Sequence, residues 1–142
     1  MLDPWGQGTV IYASGAVYVG EWKEGKESGH GEYTSPSGAK YVGEWKEDKM
    51  SGHGEWTHPN GDKYVGEYKE GKRSGHGEYT HPAGAKYVGE FKENSFWGLG
   101  TFTHQNGNVY SGEWENEEPV KGKFTRNGRP WHGSAEDAGN GR

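Results

Sequence analysis

Three histidines stand beside three glutamates at equal intervals: His30 with Glu32, His53 with Glu55 and His76 with Glu78. Imidazole and carboxylate together are zinc-ligand chemistry. The intervals oppose it. If each pair sits on its own strand, equivalent residues lie two strands apart, on the order of 9.6 Å. Zn–N bonds are only about 2.0–2.1 Å, so a shared ion cannot bridge the copies easily. Solvated surface histidines are the expectation, with no metal and no cofactor. His58, His81 and His104 read as polar residues flanking turns. Glu21, Glu44, Glu67, Glu90 and Glu113 form a second regular series. Carboxylate pairs can do acid–base work, but catalysis needs one asymmetric constellation in a water-excluding pocket, not a ladder. Each Glu is instead expected to accept hydrogen bonds from nearby loop N–H groups. Gly52-His53-Gly54 matches no phosphate-loop pattern, and no helix follows it to supply a dipole. A non-enzyme is therefore expected.

The rest of the composition agrees. Leu, Ile, Val and Phe are about a tenth of the 142 residues, a level that usually marks disorder. Disorder also needs high net charge and few aromatics. Here the net charge is -5, and 7 Trp, 9 Tyr and 4 Phe carry the burial that aliphatics usually carry. Cysteine is absent, which removes disulfides and thiolate metal sites. No apolar run approaches the roughly 20 residues of a membrane span, and the first ten residues lack the regions of a signal peptide. The default is a soluble cytoplasmic protein, with a peripheral place at a membrane or the cytoskeleton as the alternative. The mild acidity argues against nucleic acid and against unaided attachment to anionic lipid.

The elements that carry these series repeat. Tyr18-Val19-Gly20-Glu21-Trp22 returns as Tyr41-Val42-Gly43-Glu44-Trp45, Tyr64-Val65-Gly66-Glu67-Tyr68, Tyr87-Val88-Gly89-Glu90-Phe91 and Tyr110-Ser111-Gly112-Glu113-Trp114, 23 residues apart each time. A Gly-x-Gly segment keeps the same step, from Gly6-Gln7-Gly8 to Gly98-Leu99-Gly100. Both halves alternate with period two, so each is a short strand. One face carries aromatics and glycines, and the other carries Glu, His, Lys and Thr. Pro36-Ser37-Gly38, Pro59-Asn60-Gly61 and Pro82-Ala83-Gly84 suit a type I turn followed by a left-handed residue; Asn106-Gly107 and Asn127-Gly128 serve the same corner. Gly25, Asp48, Gly71 and Asn94 mark a left-handed position at the other corner.

The expected fold is all-β: an elongated, twisted single-layer antiparallel β-meander of tandem 23-residue hairpin repeats, with no helix and about twelve strands. One array covers 1–133: a half repeat at 5–17, repeats at 18–40, 41–63, 64–86 and 87–109, and a degenerate repeat at 110–133. A flexible tail follows at 134–142. After Trp114 the register slips, with Gly122 and Phe124 one residue early. Trp131-His132-Gly133 echoes the opening of a repeat. Such a sheet has no second layer to cover its apolar face. The glycines are read as a floor on which rings from the neighbouring strand lie.

Two features break the regularity. The lysines Lys23, Lys46, Lys69 and Lys92, with Lys26, Lys49, Lys72 and Arg73, form a row interleaved with glutamates, a soluble edge that blocks strand pairing. In the fourth repeat Ser95-Phe96-Trp97 and Leu99 replace Lys72-Arg73-Ser74 and His76. Near Phe91 and Phe102, these concentrate apolar residues, either as a contact site or as a cap on the last strands.

Tyr-x-Gly-Glu-Trp followed by Gly-x-Gly-x-aromatic at a 23-residue period resembles the MORN repeat, over residues 5 to 133. The resemblance implies a curved antiparallel β-array. Such repeats are accessory modules that bind partner proteins, assist dimerisation and have been linked to phospholipid contact. Carried onto this chain, it implies a trough lined by Tyr18, Trp22, Tyr41, Trp45, Tyr64, Tyr68, Tyr87 and Phe91. With Phe96, Trp97 and Leu99 these make up the expected partner-binding set. The expected role is a non-catalytic interaction scaffold for a peptide, a partner protein or a second copy. The alternatives are a phospholipid-binding tether for anionic headgroups, or an accessory domain of a larger enzyme.

Overall fold

A computed structural model describes residues 6–126 and 129–131. Trp5, the corner at Asn127-Gly128, His132-Gly133 and the segment 134–142 lie outside the described residues. The chain forms two compact units, Met1–Lys72 and Arg73–Arg142. The first carries β1 (Gly6–Ile11), β2 (Val17–Lys23), β3 (Lys26–Thr34), β4 (Lys40–Lys46), β5 (Lys49–Thr57) and β6 (Lys63–Lys69). The second carries β7 (Lys72–Thr80) from Arg73 onward, then β8 (Lys86–Lys92), β9 (Ser95–Thr103), β10 (Val109–Glu115), β11 (Glu118–Arg126) and β12 (Arg129–Trp131). The described residues contain no helix. The fold is an open antiparallel meander in which strand order is chain order.

Two kinds of corner build the hairpins. At the tight corner Lys46 pairs with Lys49 around Glu47 and Asp48, whose φ values are 48° and 68°. Two positive φ angles in a two-residue loop make a type I′ turn, whose twist matches the strands it joins. The other copies agree: Glu24 and Gly25, Glu70 and Gly71, Glu93 and Asn94, and Asn116 and Glu117 all have positive φ. The second member was readable from its Gly, Asp or Asn. The first is a glutamate in all four complete repeats, a residue type that pays a steric cost there. At the wider corner Gly38 donates its N–H to the Ser35 carbonyl at 2.9 Å with φ at 96°, the type I turn plus left-handed glycine its residues call for.

The tight corners also join consecutive repeats. Asp48 donates its N–H to the Glu27 carbonyl at 3.0 Å, and the Asp48 carboxylate accepts the Glu27 N–H at 2.7 Å. Asn94 makes the same two-way clasp with Arg73, at 3.0 and 2.9 Å. Gly71 keeps only the first half, donating to the Met50 carbonyl at 2.9 Å.

Each first hairpin strand meets its partner with a bulge. Gly43 faces Gly54 and Trp45 faces Met50, so Glu44 stands opposite Ser51, Gly52 and His53. The same shift separates Gly20 from Trp22 and Gly89 from Phe91. In the last hairpin Gly112 faces Gly122, Glu113 faces Lys121 and Trp114 faces Pro119, which leaves only Val120 extra. The slip after Trp114 is therefore a bulge shortened by one residue, and Phe124 still pairs with Tyr110.

The core lies on the glycine face. Tyr18, Tyr41, Tyr64 and Tyr87 are fully buried. The Tyr41 ring lies on the floor made by Gly43 and Gly54, and its hydroxyl donates to the Glu44 carbonyl at 2.8 Å, at the bulge. Tyr18 and Tyr87 repeat this over Gly20 and Gly31 and over Gly89 and Gly100. Each ring also meets two others edge-on. Tyr41 lies 5.2 Å from Trp45 in its own repeat and 5.1 Å from Tyr68 in the next. Such pairs add roughly 0.5–1.5 kcal/mol each beyond area burial. The Trp45 indole N–H reaches back to the Gly31 carbonyl at 3.1 Å, and Trp22 and Trp114 do the same to Gly8 and Gly100.

A Cβ added at Gly54 would stand 2.5 Å from Cζ of Tyr41. Gly54→Ala should therefore cost roughly 1–3 kcal/mol by overpacking, read as a lower urea midpoint. Gly71→Asn should move the midpoint up, by about 1 kcal/mol, because it supplies the missing acceptor at a corner where nothing lies within 4 Å of a new Cβ. An unchanged midpoint for Gly54→Ala would remove the floor from the account.

Candidate functional site

The series that could have done chemistry are placed first. Glu44 Oε2 accepts the His53 N–H at 2.6 Å, Glu90 Oε2 accepts the Leu99 N–H at 2.6 Å, and Glu21 does the same for His30. Each carboxylate therefore caps its own bulge. Bulge glycines such as Gly52, at φ 63°, leave room for it. The His of Gly-His-Gly contributes its backbone N–H to this cap, which is why Leu99 can replace it. The imidazoles of His30, His53 and His76 are on exposed residues. Among the described residues no group of three or more His, Cys, Asp or Glu side chains is placed to hold a metal ion. The ion pairs involve other lysines: Lys40 with Glu32 and Lys63 with Glu55 at 3.0 Å, and Lys86 with Glu78 at 3.5 Å. Exposed pairs of this kind contribute about 0–1 kcal/mol.

The expected trough-lining rings are core. Tyr18, Tyr41, Tyr64 and Tyr87 are at most 1 % exposed, and Trp22, Trp45, Tyr68 and Phe91 at most 8 %. What covers them is the array's own neighbouring rings and glycine floor. Burial, then the nearby Glu90 charge, pushes the Tyr87 hydroxyl up to about 12. Burial, then the Glu27 and Glu21 charges, does the same for Tyr18. Burial also raises Tyr41 and Tyr110. A hydroxyl held this way is neither acid nor base at neutral pH, so the face offers apolar contact, not proton transfer.

One equivalent ring stays half-buried on the second strand of each complete repeat: Tyr33 and Trp56 in the first unit, Tyr79 and Phe102 in the second. Trp56 packs 5.8 Å from His58, Tyr79 4.9 Å from His81 and Phe102 4.6 Å from His104. The histidines before the wide corners are thus ring partners as well as turn polars: the His58 Nδ1 accepts the Asn60 N–H at 3.2 Å. The signal for these rings was the last position of Gly-x-Gly-x-aromatic together with the His two residues later.

The broken fourth repeat does not form one cluster. Phe96 stacks on Tyr87 at 3.9 Å and 6°, and meets Phe91 and Trp114 edge-on at 5.6 and 5.5 Å. It fills the core-side slot across from Phe91, where Glu27 faces Trp22 and Met50 faces Trp45. Arg73 holds the equivalent place in the third repeat. Its guanidinium lies 5.1 Å from the Tyr79 ring centre and 5.9 Å from that of Phe91, not in an exposed basic row. Trp97, next along the strand, has Lys92 Nζ 4.7 Å from its ring centre. Leu99 is 63 % exposed and pairs with Glu113. Trp97 and Leu99 therefore share the glutamate-bearing face, and Phe96 does not.

These features define a class: an antiparallel β-repeat array whose conserved-looking pentamers are structural units. A family model for the MORN repeat matches residues 18–40, 41–63, 64–86 and 87–109, in tandem. The chain belongs to the MORN-repeat family. Repeats of this family are generally associated with protein and membrane interaction modules. No curated protein matches the chain.

The stacked Phe96 and the half-exposed Trp97 should behave differently. Phe96→Ala should cost roughly 2 kcal/mol, below the range for a fully buried ring, and Trp97→Ala within about 1 kcal/mol, both by urea denaturation. The core hydroxyls predict alkaline sensitivity. A folded-state value raised to about 12 from an ordinary 10 leaves stability intact below pH 10 and removes it as pH climbs toward 12. Urea midpoints that stay level from pH 9 to pH 11.5 would contradict this.

Proposed function

We propose that this chain is a non-catalytic protein-interaction module. Each unit offers its own contact surface of second-strand rings, Tyr33 and Trp56 in the first and Tyr79 and Phe102 in the second. The observation that supports this reading is the division of labour among the rings. The pentamer rings are closed into the core at 8 % exposure or less, while Tyr33, Trp56 and Tyr79, each paired with a pentamer tyrosine, stay half-buried, as does Phe102. Large, stiff rings that keep part of their surface exposed give contact area at low entropic cost. The partner is a peptide or protein, a second copy of the chain included.

A second reading has one observation of its own. The Lys92 ammonium lies over Trp97, and the exposed Leu99 is two residues along the same strand, the residue types that meet anionic headgroups at an interface.

The readings separate in one set of measurements on the intact chain. Trp56→Ser with Tyr79→Ser should keep the β-sheet circular dichroism of the parent and lose proteins retained in affinity capture at physiological salt. Light scattering across concentrations would reveal self-association, which the same double variant should abolish. If retention and self-association survive the double variant, the second-strand rings are not the contact surfaces. Sedimentation with phosphoinositide vesicles that is lost in Trp97→Ala would move the assignment to the lipid reading.

A further inference from the structure

Glu27 is the one slot residue among Glu27, Met50, Arg73 and Phe96 that carries an acid onto the core side. It is 7 % exposed. Its Oε1 accepts the Tyr12 hydroxyl at 2.8 Å, and its Oε2 is buried with no hydrogen-bond partner. Its backbone is held on both sides by Asp48, through the 2.7 and 3.0 Å bonds of the clasp. Three consecutive repeats meet at this carboxyl: Tyr12 from the corner before β2, Glu27 in β3 and Asp48 from the corner after β4.

We propose that Glu27 is a proton-binding site that tightens the junction between the first complete repeats as pH falls. An ionised carboxylate with one oxygen desolvated and unpartnered is costly. A neutral carboxyl in the same place keeps the Tyr12 bond and removes the buried charge. The titratable groups facing it are Tyr12 from the loop, Asp48 from the next corner and Tyr18 from β2, with Tyr33 beyond Tyr12. Asp48 opposes ionisation of Glu27 by like charge, and Tyr12 favours it by its hydrogen bond. Burial is the largest effect, and together they raise the Glu27 carboxyl above its ordinary 4.5. The sign follows: the stabilisation is complete below 4.5 and is lost as pH rises through the folded-state value. The Met50 and Phe96 slots carry no titratable group and hold their repeats without a pH term.

The test uses the full chain. Urea midpoints are measured from pH 8 to pH 4.5 for the parent, Glu27→Gln and Glu27→Met, the latter being the residue that the second copy carries. Both variants should be more stable than the parent at pH 8, and the gap should close on acidification. A gap that does not change with pH overturns the proposal, as does a parent more stable than Glu27→Gln at pH 8. Carbon-detected NMR of the Glu27 carboxyl in the parent gives a second readout that needs no variant to fold. A midpoint above 4.5 is expected, and it should fall in Asp48→Asn, which keeps a residue type found at the same corner in Asn94. A midpoint at or below 4.5 overturns the proposal.

Discussion

Everything in this array depends on a tyrosine ring lying flat on two glycines. A ring can close on a single-layer sheet only where the opposing backbone has no side chain. Gly43 and Gly54 face each other at that spot, and the Tyr41 ring fills it. The hydroxyl then finds the Glu44 carbonyl, which the bulge has freed from the ladder. The edge-on neighbours in its own and the next repeat complete the enclosure. A second layer of secondary structure normally does this work. Here each repeat supplies the cover for the one beside it.

The bulge divides what must be kept from what can vary. Its glutamate must reach one N–H, and its glycine must leave room for that carboxylate. The residue that donates the N–H is free to be His53 or Leu99. The slot across from the pentamer's last ring is similarly tolerant, since Glu27 pairs with Trp22, Met50 with Trp45 and Phe96 with Phe91. The core-side slot differs in all four complete repeats, and the outer-face donor changes once, from His to Leu99. Those are the places where copies with the same backbone acquire different surface chemistry and different stability.

Much of this was legible in the residues. The 23-residue step, the alternation around Gly43 and the left-handed types at Asp48 and Gly38 reflect steric rules that act locally. The glycine floor and the carboxylate cap were also readable as roles, because no other use of so regular a series is physically economical. The identity of the buried rings as core rather than contact surface was not. Composition shows that Tyr41 is apolar and periodic, but whether its own neighbours cover it depends on how consecutive repeats pack. Arg73 was misplaced for another reason, and the residues alone leave Phe96 open between a contact site and a cap. Two extra residues in each bulge preserve the period-two facing, so Arg73 shares the face of Gly75 and Gly77; its charge alone suggested the exposed row. The corner glutamates Glu24, Glu47, Glu70 and Glu93 were missed because their type does not favour positive φ.

The clasp between repeats joins residues only 21 apart in the chain. Contacts that short close with little loop entropy, and proteins built from them fold quickly for their size. A newly synthesised repeat can dock on its predecessor as soon as its tight corner is available. The order of synthesis thereby becomes an order of assembly. A corner such as Gly71, with half a clasp, holds its predecessor by one backbone bond where Asp48 and Asn94 use two.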